Sequence, residues 1–315
     1  MLLAIQHELH LTYSAAVSES AMEVRLMPRS DSHQTLRSFD LIVGPDAPVF
    51  VQTDLQGNRV HYFSIFNPHE RNLIFAESMV ETHPIAQAIE DLSGDLHMPL
   101  LDSRSHEYLA PHGPAQFFPY LEQFVKTSGF FDDSRIAKVL SAALASLPAL
   151  MRFKRAATSE GLGRRFEGPS SGLNAARDQA NLALSLLRLL GIPARYVSGY
   201  LVQLETSTAA CHAWIEAYLP KHGWCGLDTL SGRPIGEGHV AVASGRSSLE
   251  VPTQMGTFRG RARQISTAKI KFEFVRAPLA SEWLQQRRID ARYYIDAQLR
   301  SRNALGDASA HAEEC

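Results

Sequence analysis

SSGLNAARDQANLALSLLRLLGIPARYVSGYLVQLETSTAACHAWIEAYLPKHGWCGLD, Ser171 to Asp228, reads as a helix followed by three strands. Leu173, Ala180, Leu184, Leu187 and Leu190 recur at the spacing of one helical face. Ser171 or Asn174 can cap the start. Gly191 and Pro193 end the helix, because glycine accepts the left-handed turn that closes a helix and proline cannot continue one. ARYVSGYLVQ has the β-branched and aromatic composition of a buried strand. CHAWIEAYLP alternates, with His212, Trp214 and Glu216 on one face and Ala213, Ile215 and Ala217 on the other. GWCGLD is a third strand ending on Asp228.

At these residues the chain resembles the bacterial transglutaminase-like family, whose core is a papain-like cysteine-protease fold. The family runs Cys-x-Asp-x-Ala at a helix start, then Gly-Ile-Pro-Ala-Arg-x-Val-x-Gly-Tyr, His-Ala-Trp and Gly-Trp-x-x-x-Asp. Here the same series is Ala176-Arg177-Asp178-Gln179-Ala180, Gly191 to Tyr200, His212-Ala213-Trp214 and Gly223-Trp224 to Asp228. The resemblance implies a thiolate at the helix start, activated by His212, with Asp228 orienting the imidazole. The physics suits those places. A helix N-terminus lowers a thiol pKa, and a His bonded to a carboxylate holds the tautomer that base work needs. His212 and Asp228 match, but the nucleophile position is Ala176, which has no atom that can attack a carbonyl.

No other residue replaces it readily. Cys211 precedes His212, so its side chain takes the opposite face of the strand. Cys225 is an odd number of residues from Asp228 and also turns away, and Cys315 ends the chain. Ser170 and Ser171 reach the His only if their loop folds back. Asn174, Asp178, Trp214 and Trp224 are the candidates for lining the cleft. Asp178 also suits the first turn of a helix simply as a carboxylate, and both tryptophans suit a core. His212 and Asp228 carry two readings of equal weight, a catalytic pair and a buried hydrogen bond pinning two strands.

The family resemblance extends outward. Arg25 to Pro28 and Gly57 to Val60 are similar to its N-terminal region, and GHVAVASGR, Gly238 to Arg246, to a later strand of its core. Departures from the family pattern are Ala176, Asn181 for a frequent His, Leu230 and Ser247 for an Asp, and they are expected near the cleft. QHELHLTYSAAV, EVRLMP, TLRSFDLIV, VFVQTDLQGNRVHYFSIF and NLIFAESMVETHP alternate or are β-branched between turn residues, with a hairpin-like turn at Gly57-Asn58. The expected fold is α+β: an N-terminal β-sandwich over 1–85, a connector over 86–129, a papain-like transglutaminase core of helix on antiparallel sheet over 130–276, and a helical extension over 277–315 with a disordered tail. YLEQFVKTSGFF and SRIAKVLSAALASLPALMRF read as helices, and TAKIKFEFV as the strand that closes the core. GLGRRFEGPSSG, just before the nucleophile helix, lacks the Lys-Ser/Thr of a phosphate loop and reads as a loop at the cleft edge. The extension presents Trp283, Tyr293, Tyr294 and Ile295 with Arg287, Arg288, Arg292 and Arg300, a helix that docks on its own core or on a partner.

Composition narrows the function. The 315 residues suffice for two domains, and a net charge of -2 gives no electrostatic case for nucleic acid or a membrane surface. Three unpatterned cysteines argue against a disulfide framework and fit a reducing cytoplasm. The start, MLLAIQHELH, is not built as a signal peptide, and no apolar run approaches membrane-spanning length. Nothing calls for a cofactor or a metal; His7 and His10 lie on opposite faces of a strand. Three functions follow: a catalytically silent homologue that binds a peptide or protein partner or scaffolds a complex, an amide-bond enzyme using His212 and Asp228 without a Cys, or a structural subunit. By resemblance the partners would be an ATP-grasp-type peptide ligase and helical companion proteins.

Overall fold

Strand β1 (Leu2–Val17) is the spine of the molecule, because one of its faces serves two cores. Leu3 and Ile5 join the larger core with the helices, while Leu9 and Leu11, on the same face, join a second core between two sheets. The computed structural model describes residues 1–84, 88–94, 103–130, 134–161, 173–203, 206–219, 221–275 and 290–299.

The expected sandwich forms from β1 with β2 (Glu19–Val24), β3 (Gln34–Gly44), β4 (Phe50–Thr53), β5 (Arg59–Ile65) and β6 (His69–Thr82). The β4–β5 turn closes at Gly57, whose φ of 86° favours glycine. Asp54 Oδ1 accepts the backbone N–H groups of Gln56 and Asn58 there. Helices α1 (Pro119–Thr127), α2 (Ile136–Gly161) and α3 (Leu173–Leu189) follow, then β7 (Ala194–Gln203), β8 (Thr208–Leu219), β9 (Gly223–Asp228), β10 (Arg233–Pro234) and β11 (His239–Gly245). β12 (Gln254–Arg259) and β13 (Gln264–Phe274) come last.

These two last strands return to the sandwich, whereas sequence order groups them with the core. β13 pairs antiparallel with β1 from Leu3↔Phe274 to Tyr13↔Gln264, and β12 pairs with β2. TAKIKFEFV is therefore a strand as its alternation predicts, but it closes the first domain. The reason is the free edge of β1, whose backbone groups need partners. The resulting sheets run β13-β1-β6-β3 and β12-β2-β5-β4, and the core sheet runs β10-β9-β8-β7-β11.

Helix α3 ends as its sequence predicts. Gly191 has φ 77°, and Ile192 N–H bonds back to the Leu187 carbonyl. Ala176, Ala180, Ala183, Leu184 and Leu187 pack into the core that contains Ala213, Ile215 and Ala217 of β8. Helix α2 corrects one expectation. Its stretch Ile136–Lys154 is long and apolar enough to cross a membrane by length and composition, and 44% of it is buried in this fold. Val139, Leu140, Leu144 and Leu147 form part of the same core as α3.

The segment 290–299 is helical and docks on the chain itself. Ala291 and Ile295 pack on Ile42, Leu73 and Phe75, and the Tyr294 hydroxyl donates to Glu8 at 3.0 Å. Trp283, Arg287, Arg288, Arg300, the tail with Cys315, Ser170, Ser171 and the loop over 162–172 lie outside the described residues.

Candidate functional site

The site forms where β8, β9 and β11 come together at one end of the core sheet. The alternation of β8 sends Ala213, Ile215 and Ala217 into the helical core. Its other face carries His212, Trp214 and Glu216. There Trp214, fully buried, makes a small cluster with Val197, Ile235 and Ala241. Gly199, opposite His212 on β7, leaves room for this: a Cβ at that position would collide with the Val240 carbonyl and the Trp214 ring.

β9 ends on Asp228, which meets two histidines. His212 Nε2 lies 3.2 Å and His239 Nε2 3.3 Å from Asp228 Oδ2, and the Leu230 N–H donates to Oδ1 at 2.9 Å. Burial disfavours the carboxylate, yet the neighbouring His212 and His239 imidazoles outweigh it and hold the carboxyl well below its usual range. The Trp214 ring stacks on His212, centroids 6.2 Å apart, and presents an edge to His239 at 5.4 Å. Donor atoms of His212, Asp228 and His239 lie within 4.8 Å of one another, so by spacing alone they could hold a divalent cation.

The first turns of α3 reach the same end of the sheet. Gln179, one helical turn after Ala176, donates its Nε2–H to the Thr229 carbonyl, the residue after Asp228, at 2.6 Å. Ala176 is fully buried. Asn174 is exposed and its side chain accepts from Arg177 rather than capping the helix. Asp178 is half-buried, and its charge acts on Lys154 of α2 and Tyr196 of β7.

Trp224 sits apart. Its ring lies under the Arg195 guanidinium at 4.2 Å and against Tyr108 and Tyr218. It lines a cavity of about 380 Å3 between β9 and residues 29–33. In that cavity wall Glu216, fully buried, is clamped by Arg29 and Arg195. Burial works against its charge, but the two guanidinium groups bring the carboxyl down to about 2. Cys225, the free thiol among the described residues, lines the same cavity. Burial and the Glu216 charge push it up to about 11, so it stays protonated near neutrality.

The positions that depart from the family pattern each have identifiable partners. Leu230 lies at the site, bonded to Asp228 and with its side chain 45% exposed. Asn181 on α3 and Ser247 after β11 are both buried and hydrogen-bonded to other parts of the chain. The Asn181 amide bonds Ser248 Oγ at 2.9 Å, and Ser247 Oγ bonds His112 at 2.9 Å. The residue that sequence reasoning missed is His239. Its signal was present as the first residue of HVAVASG, which reads as scaffold until the sheet places it beside Asp228.

Comparison with known proteins agrees with this layout. Residues 3–81 match the family model of the bacterial transglutaminase-like N-terminal region, and residues 170–229 match that of the transglutaminase-like superfamily. An uncharacterised protein of Mycobacterium leprae is 29% identical over 271 residues, covering 82% of this chain and 93% of its own length. One of Mycobacterium tuberculosis is 25% identical over 273 residues, covering 80% and 86%. The crystal structure of a candidate cysteine protease from Cytophaga hutchinsonii shares the fold with a TM-score of 0.64 at 18% identity, covering 88% of this chain and 93% of that one.

Proposed function

We propose that this bacterial transglutaminase-like protein, with its family N-terminal region and papain-like core, is catalytically silent and binds a peptide or protein segment in the cleft beside His212 and Asp228. One observation carries the reading: the helix position where the family resemblance calls for a thiol is Ala176, whose methyl group is packed into the core. Acyl transfer from a glutamine side chain requires a thiolate to add to the amide carbon and ammonia to leave. Removing the nucleophile from such a cooperative unit costs on the order of a million-fold in rate.

The other cysteines support the same reading. Cys225 lines a separate cavity as a protonated thiol, and Cys211 belongs to the helical core cluster on the opposite face of β8 from His212. The retained His212–Asp228 pair is a buried polar contact next to the exposed Leu230, and a peptide segment seated over Leu230 would meet it. By family resemblance the occupant would come from a peptide-modifying assembly with an ATP-grasp-type ligase and helical companions.

Ammonia release from glutamine-containing peptides and peptide cleavage, measured in parallel, test this for the native chain, Ala176→Cys and His212→Ala. The native chain is expected to be silent and Ala176→Cys to gain turnover. Binding of a peptide library by the native chain should be lost on Leu230→Arg, which fills the cleft edge. Native turnover that disappears in His212→Ala would overturn the proposal in favour of a cysteine-free amide enzyme.

A further inference from the structure

We infer that His239 is a positioning residue: a singly protonated imidazole whose proton is locked on Nε2, clamping the Asp228 carboxylate so that His212 takes one tautomer. The inference concerns the same site as the proposed function but does not depend on the loss of the nucleophile.

The lock is a backbone group. The Gly236 N–H donates to His239 Nδ1 at 3.1 Å. A nitrogen that accepts a hydrogen bond carries a lone pair, so the ring proton sits on the other nitrogen. His239 Nε2–H therefore faces Asp228 Oδ2 as a donor at 3.3 Å. The Leu230 N–H fills Oδ1 from the opposite side. Both oxygens of the carboxylate are thus fixed by groups other than His212, and the Asp228 side chain is only 6% exposed.

A carboxylate held in this way dictates the state of its second partner. His212 Nε2 stands 3.2 Å from the same Oδ2 without completing a hydrogen bond to it; a bare lone pair that close to a carboxylate oxygen would be repelled, so this nitrogen carries the proton. Nδ1 of His212 is then the nitrogen with the free lone pair, the one that can take a proton from a reacting group or accept a bond from a ligand. The rings of Trp214 and His239 pack around His212 and keep the pair in a dry setting, where such bonds are strongest.

The same lock decides against a cation. The three donor atoms have the spacing of a metal site, but a ligating imidazole must offer a lone pair at Nε2 and normally donates its other N–H to an acceptor. At His239 the protein presents an N–H to that second nitrogen instead.

Long-range 15N–1H correlation NMR of the histidine-labelled full chain near neutral pH reads the tautomers directly. His239 and His212 should both show Nε2–H. His239→Gln, which keeps an N–H donor, should preserve the His212 pattern, and His239→Leu should release it into a mixture of tautomers. A native spectrum with the His239 proton on Nδ1 sinks the inference, and so does an unchanged His212 pattern in His239→Leu. Stoichiometric zinc uptake that displaces the Nε2 protons would replace it with a metal site. If His239→Leu does not fold, the native spectrum and the zinc titration still decide.

Discussion

Acid should weaken this protein through His7, and the size of the effect can be worked from its position. His7 lies on β1 between Ile5 and Leu9, where the helical core gives way to the sandwich core. It is 1% exposed, bonds the Tyr200 hydroxyl of β7 at 3.0 Å through Nδ1, and leaves Nε2 without a partner. Burial pushes the imidazole down from 6.5 to about 3, against a small opposing pull from Glu8. Between those values the unfolded chain binds a proton that the folded chain refuses. The stability tied to the neutral ring is therefore complete above the unfolded value and is lost as pH falls toward the folded one. At about 1.4 kcal/mol per pH unit, a drop to roughly pH 5 removes ~2 kcal/mol. Urea unfolding of the native chain and His7→Gln near neutral pH and near pH 5 measures it. Glutamine can keep the bond to Tyr200 and does not titrate, so the variant should lose about 2 kcal/mol less than the native chain. Equal losses in the two proteins would refute the reasoning.

Two more predictions follow from the core sheet. Glu216→Gln leaves Arg29 and Arg195 without their shared carboxylate and should cost ~3 kcal/mol near neutrality. That deficit should shrink as pH falls from 4.5 through about 2, where the native carboxylate itself becomes protonated, and denaturant midpoints across that range read it. Gly199→Ala drives a methyl into the Val240 backbone carbonyl and the Trp214 ring, with an expected loss of ~1–3 kcal/mol in thermal or urea unfolding.

Much of the fold was legible because its signals are local. The Leu173 to Leu190 periodicity, the Gly191 closure and the alternation of β8 each depend on neighbours a few residues away. The site was half legible: the sequence singled out His212, Trp214 and Asp228, which lie together, whereas Trp224 belongs to a cavity with Arg195 and Cys225. Trp214 and Trp224 lie on adjacent strands, but Trp224 pairs with Tyr218 at the far end of β8, so kinship in sequence did not carry over to space.

The sequence by itself determined the helix and the strands and put alanine at position 176, since residue identity and short-range spacing suffice for each. Only the tertiary structure decided that β12 and β13 close the first domain, because strand pairing joins residues some 250 positions apart and nothing in either strand names its partner. It also brought His239 onto Asp228 and set a backbone N–H against its other nitrogen. A hydrogen-bond direction depends on where two groups point, and that exists only once the chain has folded.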